Sequence, residues 1–190
     1  MKKSRAETAE TRRRIVKAAA AEFRRNGIHA TGLAEVMAAA GLTQGGFYRH
    51  FASKDQLVAE ACAEAMESAI EVTQAAPCQA DGKIGLEAIV ENFLSMDHRN
   101  NQLEGCPLVG LGIELARADD DTRAAASEGF VKLVDLIAKQ FRRASPEAAR
   151  AHAIFALSAM VGAVTMSRIV VDPELSATIL HEARTRLVKP

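Results

Sequence analysis

Tryptophan is absent, tyrosine occurs once, and aromatic residues make up only 4% of the 190 residues. Cysteine is scarce as well: Cys62, Cys78 and Cys106 are an odd number at wide spacing, which excludes a disulfide framework and offers no C-x-x-C pair for metal or redox chemistry. Reduced thiols are expected. Glycine (12) and proline (5) are too few, and apolar residues at 48% too many, for a disordered, collagenous or low-complexity chain. Long hydrophobic runs are missing too. The basic start is followed by a stretch broken by Lys17, Glu22, Arg24 and Arg25, so no signal-peptide core is present. The longest nearly uncharged run, 151–167, has 17 residues and includes His152, Ser158 and Thr165, short of the roughly 20 that span a bilayer. It reads as a buried helix, and a cytoplasmic protein with no membrane partner is expected. A chain of this length buries about 70% of its extended surface on folding, enough for a substantial core.

Catalytic apparatus is also lacking. His29, His50, His98, His152 and His181 show no metal-ligand spacing, and there is no H-E-x-x-H, no glycine-rich phosphate loop and no G-x-S-x-G elbow. Neither enzyme, metal nor cofactor is expected. Net charge is +0, yet residues 1–54 carry 11 Lys and Arg against 4 acidic residues, a local charge of +7, and the remainder carries 13 against 20. One end therefore suits a polyanion and the other does not, which makes nucleic acid the first partner to consider.

Apolar residues recur at helical spacing nearly throughout, as in Ile15, Ala18, Ala19 and Phe23, or Val131, Val134, Ile137, Ala138 and Phe141. No strand alternation stands beside it. Ser53 with Gln56 forms a capping box, and Ser145-Pro146 and Asp172-Pro173 each set a cap before proline at a first helical position. The fold class is all-α. About nine helices are predicted, over 8–26, 32–39, 43–50, 53–76, 82–99, 106–117, 121–143, 146–171 and 173–188.

The stretch 31–51 reads as helix, tight turn, helix. Thr31 is placed to cap the first helix, Leu33, Val36 and Met37 give it an apolar face, and Gly41 suits the left-handed residue that ends it. Thr43 is placed to cap the second. Phe47 and Phe51 lie four apart and face the core, leaving Gln44, Gly45, Tyr48 and Arg49 on a polar, basic side. In a helix-turn-helix that side enters the major groove of double-stranded DNA. Two adjacent glycines cost roughly 1 kcal/mol each in a helix, a loss that a close approach of backbone to DNA would offset.

These residues carry a resemblance. From Thr11-Arg-Arg-Arg-Ile-Val-Lys-Ala-Ala through Phe23, Gly27 and Gly41-Leu-Thr-Gln-Gly-Gly-Phe-Tyr-Arg-His-Phe51 to Ser53-Lys-Asp-Gln-Leu57, the chain resembles the DNA-binding domain of the TetR/AcrR repressor family. The resemblance implies an N-terminal three-helix DNA-binding domain with a basic arm, residues 1–52, and a helical effector-binding and dimerisation domain, residues 53–190. It also implies that Thr43, Gln44, Gly45 and Gly46 face the groove, Gln44 as base reader, that Tyr48 and His50 contact the backbone, and that Lys54 binds phosphate. Thr31 and Arg49 are further DNA-facing candidates. His50 has the alternative of covering the domain rim, and Arg12 to Arg14 with Lys2, Lys3 and Arg5 that of an ordinary solvated face.

For the second domain the resemblance implies a homodimer released from operator DNA by a small-molecule or electrophile effector. The helices containing Ile154, Phe155, Leu157, Met160, Val161, Val164 and Leu175, Ile179, Leu180 are too apolar for a lone surface layer, and Phe155, Met160, Val161, Val164, Leu175 and Ile179 are the expected interface. Phe93, Met96, Leu103, Cys106, Leu111, Phe130 and Met166 are candidate pocket residues on apolarity, with plain core as the alternative. Gly105-Cys106-Pro107 sets Cys106 at a helix cap, where unpaired amides favour a thiolate. Its surroundings resemble a TetR subgroup that includes electrophile sensors, the alternative being a small buried hydrophobe.

Overall fold

Helical periodicity becomes eleven helical elements and no strand among the residues described by the computed structural model, which are 5–75, 85–101 and 105–188. They are α1 (Arg5–Asn26), α2 (Leu33–Ala39), a 3-10 helix (Gln44–Arg49), α3 (Lys54–Gln74), α4 (Leu86–Phe93), α5 (Met96–Asn100), α6 (Pro107–Gly110), α7 (Gly112–Ala116), α8 (Asp120–Ala138), α9 (Pro146–Ile169) and α10 (Pro173–Val188). The excess over nine has local causes. The predicted helix 82–99 breaks where Ser95 takes the Asn92 carbonyl with its hydroxyl (2.8 Å) and caps α5 by accepting the His98 N–H (3.0 Å). The predicted helix 106–117 breaks at Leu111, whose φ of −116° and ψ of 5° leave the helical region between Gly110 and Gly112. Leu103, Cys78, Lys2 and Lys3 lie outside the described residues.

The predicted caps form, two of them directly ahead of a proline. Ser145 accepts the Ala148 N–H at 3.3 Å, Asp172 accepts the Glu174 N–H at 2.9 Å, and Ser53 accepts the Gln56 N–H at 3.0 Å. Gly41, at φ 70°, ends α2 with two backbone bonds, from its own N–H to the Ala38 carbonyl and from the Leu42 N–H to the Met37 carbonyl.

Two compact units result, residues 1–67 with 106–127, and residues 68–105 with 128–190. The first thus takes in α6, α7 and the start of α8 as well as the basic N-terminal part. It buries Ile15, Ala19, Phe23, Val36, Met37, Phe47, Phe51 and Leu57, each large side chain contributing about 1.5–3 kcal/mol on transfer from water. α7 reaches the turn after α1, where Glu114 accepts the His29 N–H at 3.0 Å. A Cβ on Gly27, at φ 88°, would stand 3.1 Å from the same carboxylate, so both backbone and space select glycine there.

The second unit buries Ile89, Val90, Leu133, Val134, Ile137, Leu157, Met160, Val164 and Leu180. α9 packs on α10, with the buried Ser176 hydroxyl donating to the Ser167 carbonyl at 2.7 Å. Its other face is open and apolar: Ile154 is 41% exposed, Phe155 66%, Met166 49% and Ile169 65%. The expected interface set therefore divides. Met160 and Val164 are fully buried inside the protomer, because they share a helical face with Ala153, Ala156 and Leu157; Phe155 and Leu175 are exposed, and Val161 and Ile179 half-buried. The 24-residue α9 is long and apolar enough to cross a membrane, as buried core helices also are.

Candidate nucleic-acid interface

The predicted recognition helix over 43–50 is α-helical in expectation and 3-10 in the structure, over Gln44–Arg49. Gly45 and Gly46 carry no side chain to favour the α-form, and the turn closes by i to i+3 bonds, Gly46 N–H to Thr43 carbonyl (3.0 Å) and His50 N–H to Phe47 carbonyl (2.9 Å). Thr43 occupies the cap position with extended backbone, but its side chain makes no cap bond. The segment is instead fixed from below. Phe47 and Phe51 are buried and stacked at 5.5 Å, and the Arg12 guanidinium lies 4.5 Å above the Phe51 ring while pairing with Glu60.

That anchoring turns Thr43, Gln44, Gly45, Tyr48 and Arg49 outward together. Tyr48 is 74% exposed with its ring edge-on to Phe47, so its hydroxyl stands at the surface. A Cβ added to Gly45 would meet nothing within 4 Å. No neighbour within the protein therefore demands glycine at Gly45, while Gly46 lies against Met37 Cε, 3.7 Å from its own virtual Cβ.

Two candidates are placed otherwise. Thr31 is fully buried and does not cap α2: its hydroxyl donates to the Gly27 carbonyl at 2.6 Å, and Gly32 is the cap, its N–H held by Glu35 at 2.9 Å. Lys54 is half-buried, and its ammonium donates to the Ile28 and Thr31 carbonyls at 3.1 and 2.7 Å, staples that position the turn after α1. One of its three N–H donors is left for a phosphate. His50 is half-buried and its carbonyl accepts from Arg12 Nε at 3.2 Å. The basic face of α1 is likewise partly committed: Arg14 donates to the Ala40 carbonyl at 2.5 Å and Arg13 pairs with Glu10. Glu114 and these lysine and arginine staples carry no sequence signal, because a charged side chain bonded to a distant carbonyl has the same local pattern as one in water.

A family model described as "Bacterial regulatory proteins, tetR family" matches residues 15–61, and a second, "Transcriptional regulator LmrA/YxaF-like, C-terminal domain", matches residues 84–176. An HTH-type transcriptional regulator of Mycobacterium tuberculosis is 30% identical over 171 residues, covering 83% of this chain and 84% of that one. The chain belongs to the TetR family. The HTH-type transcriptional regulator LmrA of Bacillus subtilis is 25% identical over 176 residues, 90% of this chain and 92% of that one. The crystal structure of a TetR transcriptional regulator from Chloroflexus aurantiacus superimposes with a TM-score of 0.73 at 28% identity, covering 96% of this chain and 94% of that one. This TetR-family protein is accordingly a DNA-binding transcriptional regulator and not an enzyme.

In the second unit of the TetR-family chain an open cavity of about 630 Å³ is lined by Val72, Asn92, Ser95, Asp97, His98, Asn100, Asn101 and Gly105. His98 is held there by a 2.6 Å bond between Nδ1 and the Phe93 carbonyl, and burial lowers its pKa from 6.5, that bond opposing and the Arg168 charge assisting. Since a carbonyl only accepts, Nδ1 carries the proton. Arg99 donates to the Ser167 carbonyl and Arg168 to the His98 and Arg99 carbonyls, a reciprocal brace between α5 and α9. None of the described apolar pocket candidates lines this cavity. Phe93 is buried beside it, Met96 and Met166 face water, Phe130 is half-buried, and Cys106 and Leu111 belong to the core of the first unit. Apolarity alone does not separate core from pocket. Burial pushes the Cys62 thiol up to about 11, which makes it a poor nucleophile at neutral pH.

Proposed function

We propose that the protein is a homodimeric repressor that reads its operator through Thr43–Arg49 and is released from it by a small-molecule effector bound in the second unit. The exposed apolar stripe of α9, Ile154, Phe155, Met166 and Ile169, carries the dimer: a stripe of that length left in water is unfavourable, and a second copy would cover it. Two copies also supply two reading heads for half-sites one helical turn, or multiples, apart. The division of labour places DNA reading in residues 1–52 and effector and dimer functions in 53–190, and the cytoplasm, where the DNA lies, is the site of action. Gln44 reads a base edge, Tyr48 and Arg49 hold phosphates, and the Gly45 backbone lies against the duplex.

The small-molecule form of the effector is preferred to the electrophile. Cys106 is only 5% exposed, which supports the reading of a small buried hydrophobe over that of a reactive thiol. Fluorescence anisotropy on the DNA upstream of the coding region, against a random duplex at fixed salt, tests DNA reading; binding at least about tenfold tighter to one duplex is expected. Sedimentation of the wild type and of Phe155→Glu tests the dimer, and a monomeric wild type refutes it. Transcription from the bound promoter decides repression against activation.

A further inference from the structure

A second open cavity in the same unit, of about 570 Å³, is lined by Gly85, Leu86, Gln140, Phe141, Arg142, Arg143, Ala144 and His152. No carboxylate is among its described lining residues. Arg142 and Arg143 are exposed in the connection between α8 and α9 and their side chains have no hydrogen bond or ion pair among the described residues, whereas the nearby Arg150 is paired with Asp135. Guanidinium groups stay charged at every physiological pH, so two full positive charges stand at the cavity wall. Glu87 and Glu147 lie on the elements that border it, and neither lines it.

The rest of the wall is matched to a ring. Phe141 and His152 stack at 5.2 Å with 24° between their planes, a rigid flat surface beside the arginines. Gln140 turns its amide nitrogen to the Leu136 carbonyl at 3.1 Å, leaving its side-chain oxygen as a polar contact. The start of α4 adds backbone amides, since Gly85 caps it without a side-chain acceptor and the first helical bond runs from the Ile89 N–H. An uncharged apolar ligand would gain nothing from the two guanidinium groups, and a small inorganic anion would leave the ring surface unused.

We propose that this cavity binds a planar ring bearing one anionic group, carboxylate or phosphate, with Arg142 and Arg143 on the anion and the Phe141–His152 pair against the ring. The proposal deepens the effector reading above and rests on it. Isothermal calorimetry on the full chain uses 2-naphthoate, 2-naphthyl phosphate and the uncharged 2-naphthylmethanol as probes. At least one anionic probe is expected to bind at least tenfold tighter than the alcohol, and the stronger of the two identifies the anion. Arg142→Gln with Arg143→Gln should weaken that probe at least tenfold, while Arg150→Gln, which removes the same charge outside the cavity, should change it less than twofold. Equal binding of acid and alcohol, or equal losses in the two arginine variants, overturns the proposal; matching thermal melts of the variants exclude unfolding as the cause. Anisotropy on a duplex selected from a random pool separates the two readings. Intact operator binding without probe binding refutes the cavity alone, and probe binding that leaves operator affinity unchanged refutes its role as effector site.

Discussion

Each of the two units of this TetR-family protein uses its cationic side chains in two opposite ways. Around the reading segment Arg12, Arg14 and Lys54 are tied to a carboxylate or to backbone carbonyls, and in the second unit Arg99 and Arg168 brace α5 to α9 in the same manner. Arg49, beside Tyr48, and Arg142 with Arg143, at the second cavity, have no such tie among the described residues. A cation bonded to a carbonyl builds the scaffold, and one left without an anion in an open polar site is available to a ligand. Charge by itself distinguishes neither.

The sharpest way to break the comparison is to remove what lies beneath it. Phe51→Ala takes away the ring that supports both Phe47 and Arg12 and should cost about 3–5 kcal/mol in urea unfolding; a loss below 1 kcal/mol would show that the stack is not the foundation. Lys54→Ala follows, since a charged donor bonded to two carbonyls is worth about 1.5–3 kcal/mol. It should lower stability and weaken binding to all duplexes alike, whereas Arg49→Ala should leave the melt unchanged and reduce only affinity and its salt dependence. A stable Lys54→Ala protein would make Lys54 a phosphate ligand instead of a staple.

Gln44→Ala should cost about 1–3 kcal/mol at one base pair of the operator and little elsewhere, so equal losses on operator and random duplex remove it as the base reader. Gly45→Ala sharpens the same contrast at smaller scale: with open space around its Cβ, folding should be unaffected while operator affinity falls about tenfold, or about 1.4 kcal/mol. Unchanged affinity would mean that the backbone does not approach the duplex there. The smallest effect expected is that of pH. Burial lowers the folded pKa of His98 from 6.5, so the unfolded chain binds a proton more readily, stability holds above about pH 6.5 and falls as pH drops below it. The melting temperature between pH 7.5 and 5.5 should decline less in His98→Asn than in wild type.

Much of this architecture stands in the order of residues. The 3.6-residue spacing of apolar side chains, the serine and aspartate caps before Pro146 and Pro173, and the left-handed Gly41 are local features, and each produced the predicted element. Where the prediction departs from the structure, a competing contact intervened, in some places near in sequence and in others far. Thr31 looked like a cap until the Gly27 carbonyl took its hydroxyl, and Met160 and Val164 looked like interface until α9 turned that face into its own unit. The Gly45–Gly46 pair was read as helix although a glycine pair also accommodates the tighter 3-10 turn.

Composition and pattern alone determined an all-α chain with a basic end, because periodicity, capping and charge are properties of neighbouring residues; the family came from the resemblance of residues 11–57 to the TetR/AcrR DNA-binding domain. Tertiary structure decided which cations became staples and which stayed open, which face of α9 remained in water, and that Arg142, Arg143, Phe141 and His152 share one cavity. Those outcomes depend on what distant segments bring within about 3–6 Å, the range over which hydrogen bonds and ring contacts act, and no local pattern encodes that approach.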